Sequence, residues 1–297
     1  MQDSGDISVF GPLCLSVMDL DRQREFYTGA LGLQLIEREH GATAGAQGGS
    51  ESRPGGGRAV LGAGDHQLLA LEPGAERPRP PRTTGLYHMA IRFPLRAALG
   101  QVLQRLLAMN AAPQGGADHL VSEAIYLADP EGNGIELYCD RPESEWPRKD
   151  GMVVMENAPL DWDGLLAEAQ AEDAGAAPGT RLGHVHLQVA DLAAADAFYL
   201  DVLGFQKSAE FPGQAHFVSL HGYHHHIAYN IWAGRGAPPA PPESAGMLYF
   251  TLRLEHAARE AVIERAKAAG LPVERRESGD LLSDPSGSRV LLATPGF

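Results

Sequence analysis

Cysteine is scarce in this chain: 297 residues hold two, Cys14 and Cys139, too few and too far apart for a disulfide framework or a zinc knuckle. Both fall in predicted strands, where a free thiol acts as a small buried apolar side chain. Basic residues are in the minority, 24 against 38 acidic, and the formal charge of −14 weighs against nucleic acid and anionic membranes as partners. No apolar run is long enough to cross a bilayer, and Met1–Asp6 lacks the charged-then-apolar order of an export signal. The expectation is a soluble cytoplasmic protein, long enough for two domains with a core each.

What the chain has is repetition. Gly11-Pro-Leu-Cys-Leu-Ser-Val-Met-Asp-Leu, then Arg24-Glu-Phe-Tyr and Ala30-Leu-Gly-Leu, returns as Gly183-His-Val-His-Leu-Gln-Val-Ala-Asp-Leu, then Ala197-Phe-Tyr and Val202-Leu-Gly-Phe. Each copy predicts a strand and a helix N-capped by Asp19 or Asp191 and stopped near Gly32 or Gly204. A second pair opens at Gly85-Leu-Tyr-His-Met-Ala-Ile-Arg and Gly246-Met-Leu-Tyr-Phe-Thr-Leu-Arg. Helices are predicted over Ala97–Met109 and His256–Ala269, and each member ends in two strands around Asp129-Pro-Glu-Gly or Asp284-Pro-Ser-Gly. Four βαβββ units follow, an α+β fold of two eight-stranded cupped mixed sheets with helices on their convex faces. The division is residues 8–140, a linker 141–181 with a short helix over Asp161–Gln170, and residues 182–297. Trp146 and Trp162 should pack that linker onto a domain, Gly41–Gly57 reads as a flexible hairpin tip, and the proline-rich Gly234–Gly246 as a stiff segment over a cup.

The chemistry centres on Ile125–Tyr138. There Glu136 sits between Ile135 and Leu137, and alternation turns it to the face opposite the core. A solvent-facing Glu is the ordinary reading of one such residue, and an exposed or satisfied histidine that of one strand histidine. Position by position, however, the units differ. On the first strand, unit two has His88 and unit three His184, where units one and four have Pro12 and Tyr249; on the last strand, unit two has Glu136 and unit four Leu291. Alternation also puts His184 and His186 on one face, away from Val185, Leu187 and Val189. Two imidazoles and a carboxylate with open positions suit non-haem iron(II) and dioxygen, and could equally hold zinc.

These motifs resemble the vicinal oxygen chelate superfamily, which contains glyoxalase I, bleomycin-resistance proteins and extradiol dioxygenases. Over residues 8–295 the chain looks like the bacterial two-domain catechol 2,3-dioxygenase type. The resemblance implies Fe(II), with Mn(II) or Zn(II) as substitutes, on His88, Glu136 and His184, which requires units two and three to share one cup across the linker. It also implies an acid/base histidine in Tyr223-His-His-His-Ile-Ala-Tyr-Asn. Counting back from Ala228 selects His225, whereas strand alternation groups His225 with Ile227 and Tyr229; a bulge would reconcile the two, and His226 stays in play beside it. Tyr126, ten residues before Glu136, takes a catalytic place, and His119 a substrate-side place although its spacing differs by about two residues. His186 is read as a further substrate neighbour, and His66 as structural.

The reading that follows is an extradiol ring-cleaving dioxygenase acting on a small aromatic diol and O2, with a homo-oligomer admitted. A glyoxalase-type metal-dependent lyase or isomerase is one alternative. The other is a non-catalytic binding protein of the bleomycin-resistance kind.

Overall fold

Strand alternation and capped amphipathic helices recur four times in the computed structural model, which describes residues 9–38, 57–169 and 175–294. The first unit runs β1 (Phe10–Val17), α1 (Leu20–Gly29), β2 (Gln34–Arg38), β3 (Ala59–Ala63) and β4 (His66–Pro73), and the second β5 (Gly85–Arg92), α2 (Arg96–Ala108), β6 (Gly115–Asp118), β7 (Ser122–Ala128) and β8 (Gly134–Asp140). The connector holds β9 (Arg148–Lys149), β10 (Met152–Val153) and the short helix α3 (Trp162–Glu168). Unit three comprises β11 (Arg181–Gln188), α4 (Leu192–Asp196) prolonged by a π-helical turn over Ala197–Val202, β12 (Gln206–Phe211), β13 (Ala215–Ser219) and β14 (Ile227–Asn230). Unit four comprises β15 (Gly246–Arg253), α5 (His256–Ala268), β16 (Glu274–Arg276), β17 (Gly279–Ser283) and β18 (Arg289–Ala293). Asp19 and Asp191 cap as predicted, accepting from the Arg22 and Ala194 amides at 3.0 and 2.9 Å.

The units pair across the chain. One sheet has the order β16-β17-β18-β15-β1-β4-β3-β2, joining units four and one, and the other β12-β13-β14-β11-β5-β8-β7-β6, joining units three and two. Each is mixed, because each unit pairs its first strand parallel to its last and the two first strands meet antiparallel at the centre. Val185, Leu187, Met89, Ile91, Ile135 and Leu137 point to the helix side, where they join Leu99, Val102 and Leu106 of α2 in one core. The opposite face of the same strands is left for polar groups.

The repeated motifs tie the two sheets together. Tyr27 of α1 donates its hydroxyl to Asp129 in the β7–β8 turn at 2.9 Å, and Tyr199, in the π-helical turn, donates to Asp284 in the β17–β18 turn at 2.9 Å. Each bond runs from a helix of one sheet to a turn of the other. Glu131 and Ser286, two residues after those aspartates, accept from the Asp19 and Ala190 amides at 2.8 and 2.9 Å.

The connector packs onto the sheet of units two and three: Trp146 clusters with Val121, Val153 and Tyr223, and Trp162 covers Gly116. Its helix is shorter than the predicted Asp161–Gln170, with Asp161 as the N-cap. The hairpin tip at 41–56 lies outside the described residues. The prolines of Gly234–Gly246 run beside the segment before β5, with bridges Thr84–Pro239 and Arg77–Ser244. The thiols of Cys14 and Cys139 are free and buried, and burial pushes Cys139 up to about 12, which makes it inert.

Candidate metal centre

Register sets the site. His184 on β11 lies opposite Ala90 on β5, and Ala90 lies beside Glu136 on β8, so three neighbouring strands place His184, a bare methyl and Glu136 in a row. His88, two residues before Ala90, projects from the same face. Two glycines permit this approach. Gly134 is paired with His88, and a Cβ there would run into the Tyr87 carbonyl oxygen; a Cβ on Gly183 would collide with the Tyr138 hydroxyl.

The three side chains converge. His88 Nε2 lies 3.0 Å and His184 Nε2 3.3 Å from Glu136 Oε2, and the two imidazole nitrogens are 3.4 Å apart. Relative exposures of 6 %, 4 % and 1 % for His88, Glu136 and His184 put the cluster out of bulk water. It is the one group among the described residues whose His, Cys, Asp and Glu donor atoms are arranged to hold a metal. Burial pushes the Glu136 carboxyl up, but His184 and His88 outweigh it and hold the group well below the usual carboxylate range. Burial drives the His184 imidazole down to about 4, so it is a neutral donor at physiological pH. Three donors about 3 Å apart, one anionic and two of them imidazoles, fit three adjacent ligands of a divalent transition metal.

His88 and Glu136 of the cluster line a cavity of about 410 Å³, together with Tyr87, Met155, Phe217, Trp232 and other residues; His184 reaches it only through its contacts with those two. His119, Tyr126, His186 and His225 line it too. The Tyr126 hydroxyl lies 2.6 Å from His119 Nε2, and His119 Nδ1 lies 2.8 Å from the Glu156 carbonyl oxygen. A carbonyl only accepts, so the His119 proton is on Nδ1 and Tyr126 donates to Nε2. The tyrosine therefore meets the cavity with an acceptor oxygen. The Asn230 amide donates to His186 Nε2 at 2.9 Å, its orientation fixed because its oxygen accepts from the Trp232 amide.

His225 and His226 separate. The ring of His225 packs 4.0 Å from that of His184 and faces the cavity, whereas His226 sits outside it against Phe10, Phe205 and Tyr223, its Nδ1 accepting from the Leu220 amide at 3.1 Å. Catalytic placement of His226 thus has no contact with the cup. Alternation misplaced His225 because β14 begins only at Ile227 and the residues before it are not strand. Sequence reasoning also passed over Asp140, which joins His224 at 2.9 Å behind His225, and over Met155 and Asn157, which the connector lends to the cavity. Asp140 had a signal, since Glu136, Tyr138 and Asp140 share a strand face; the connector residues had none.

A family model described as the Glyoxalase/Bleomycin resistance protein/Dioxygenase superfamily matches residues 9–137 and 181–291. The chain is 42% identical over 281 residues to a Bacillus subtilis (strain 168) protein named catechol-2,3-dioxygenase, covering 93% of this chain and 94% of that one. Among solved structures it resembles one from Bacillus subtilis subsp. subtilis str. 168 with a TM-score of 0.65 at 14% identity, covering 97% of this chain and 85% of that one. Glyoxalase I from Zea mays aligns with a TM-score of 0.55 at 17% identity over 96% and 92% of the two chains. Those two likenesses speak to the fold alone.

Proposed function

Because the chain belongs to the glyoxalase/bleomycin resistance protein/dioxygenase superfamily, we propose that it is an extradiol dioxygenase that opens a catechol beside its diol, with Fe(II) held by His88, His184 and Glu136. The observation that carries this reading is the convergence of those three donor groups, two of which line an aromatic-lined cavity that also holds His225 and Tyr126. The Bacillus subtilis relative supports the same assignment across nearly the whole chain. Mn(II) and Zn(II) accept this donor set as well, so the choice of iron belongs to the proposal.

Bound iron would lower the pKa of a coordinated hydroxyl and hold diol and dioxygen at one centre. The protein supplies the rest. Tyr87, Phe217 and Trp232 provide flat apolar surface for one aromatic ring, and the connector's Met155 narrows the cavity. His225 takes the second diol proton and returns it as the ring opens to a muconic semialdehyde; burial and the neighbouring His184 and His224 hold it well below its ordinary pKa, so it arrives as a base. Tyr126 accepts a hydrogen bond from the substrate hydroxyl while donating its own to His119, and His186 borders the ring.

The test is oxygen uptake and formation of a coloured ring-cleavage product from a panel of catechols by anaerobically iron-loaded protein. Stoichiometric uptake is expected. Absence of uptake, together with zinc or nickel in the purified protein, would sink the dioxygenase reading and favour the lyase alternative.

A further inference from the structure

Behind the cup three side chains are joined in line. His225 Nδ1 lies 2.8 Å from His224 Nδ1, and His224 Nε2 lies 2.9 Å from Asp140 Oδ1. The other Asp140 oxygen accepts from the Tyr223 hydroxyl at 2.9 Å and from Arg92 Nη1 at 3.2 Å. Asp140, Arg92 and Tyr223 line a second cavity, of about 490 Å³, on the far side of the histidines from the cup. His224 is wholly buried between the two.

Hydrogen-bond accounting fixes the protons along this line. Burial pushes the Asp140 carboxyl up, but His224, Arg92 and Tyr223 bring it below its ordinary value, so it is a carboxylate and can only accept. If the His224 ring holds a single proton, it faces the carboxylate from Nε2 and leaves Nδ1 a lone pair. The 2.8 Å contact between the two Nδ1 atoms needs one hydrogen, which must then belong to His225. His225 Nε2 has no hydrogen-bond partner among the described residues, and the residue faces the cavity.

We propose that Asp140 and His224 are positioning residues that lock His225 as the tautomer carrying its proton on Nδ1 and presenting the Nε2 lone pair to the substrate. The inference rests on His225 serving as the base of the proposed reaction. Asp140 acts through two rings, at one remove more than the carboxylate of a Ser-His-Asp triad, where the same device holds one imidazole in its working tautomer. Arg92 makes the consequence of an amide at this position definite. An arginine only donates, so in Asp140→Asn the amide oxygen stays with Arg92 and Tyr223 and the NH2 group turns to His224. His224 Nε2 would become an acceptor, its proton would move to Nδ1, and His225 would present N–H instead of a lone pair.

Nitrogen-15 NMR of the imidazoles in metal-free protein at neutral pH reads these tautomers directly, with the two rings assigned from His224→Gln and His225→Gln spectra. The expected result is a neutral His225 protonated on Nδ1 and a neutral His224 protonated on Nε2, both reversed in D140N. In iron-loaded protein D140N should lower kcat on catechol by about 10²- to 10⁴-fold, the usual contribution of a positioned acid/base group, with KM changed less than about threefold and iron content kept. A wild-type His225 protonated on Nε2, a doubly protonated His224, or a D140N spectrum with wild-type tautomers would each overturn the proposal. Should D140N not fold, the wild-type spectrum still decides. Failure to cleave catechol with these tautomers in place counts against the reaction and leaves the relay standing.

Discussion

Glutamine in place of Glu136 keeps the shape of the site and removes its charge, which separates metal binding from folding. His184 is pushed down to about 4 by burial, so the carboxylate is lost beside a neutral imidazole there, and the contacts of both His184 and His88 lose a charged acceptor. A carboxyl held well below its ordinary range by His184 and His88 adds stability at neutral pH, so E136Q should lower metal-free stability by about 1–3 kcal/mol. Metal binding is another matter. An ion at 100 times its dissociation constant adds about 2.7 kcal/mol to the native state. For a chain of this length that raises Tm by about 4 °C. A hundredfold weaker site leaves about 0.4 kcal/mol at the same concentration, near 1 °C. Anaerobic thermal melts with and without Fe(II), paired with metal analysis, read both quantities. Wild-type metal dependence in E136Q, or a metal-free Tm lowered by more than about 10 °C, would refute the reasoning.

Three further outcomes follow from the packing. Burial holds His226 down to about 3 in the folded protein, against 6.5 as its ordinary value, so between those limits the unfolded chain binds the extra proton. Stability should fall as pH drops below about 6.5, by up to about 1.4 kcal/mol per pH unit from this group, and His226→Gln should flatten that slope in denaturant titrations at stepped pH. Tyr27→Phe removes a buried donor to Asp129, and Tyr199→Phe its counterpart to Asp284; each should cost about 1–3 kcal/mol in urea unfolding while leaving metal content unchanged. Gly134→Ala drives a Cβ into the Tyr87 carbonyl beside His88, so it should destabilise by more than about 2 kcal/mol and lose the Fe(II)-dependent Tm rise.

The parts of the fold that were legible in the sequence are those governed by local rules. The caps at Asp19 and Asp191, the unit order, and helices within a residue or two of Ala97–Met109 and His256–Ala269 follow from side chains acting within a few residues of themselves. The pairing of unit two with unit three is not local, yet it was legible because at the equivalent ligand positions of the first and last strands metal-binding residues stand only in those two units, and the strand order agrees. His225 was harder. Parity along a strand says nothing about residues ahead of the strand's first hydrogen-bonded pair, and here that pair begins at Ile227. Met155 and Asn157 reach the cavity through docking of a connector with no periodicity of its own, and the long-range contacts that dock it leave no short-range pattern.

The site therefore lies on a seam. His88 and His184 are 96 residues apart and stand on β5 and β11, the two central strands whose antiparallel register is the join between units two and three. That join falls between the two halves of the chain, so the ligand set is assembled by the step that brings them together. The crossed bonds of Tyr27 to Asp129 and Tyr199 to Asp284 run from the helix of one sheet to the turn of the other, and one of those turns leads straight into β8 and Glu136. The repeated Phe-Tyr and Asp-Pro-x-Gly motifs hence act on the centre although none of their side chains touches it: they hold the turn from which β8 departs, and with it the carboxylate's height against the two imidazoles. A divalent ion needs its donors placed to within a few tenths of an ångström. Retaining the same tie in units one and four, where Pro12, Tyr249 and Leu291 stand in the ligand positions, is what a rigid frame around a single centre requires, since that sheet braces the turn without offering a second set of donors.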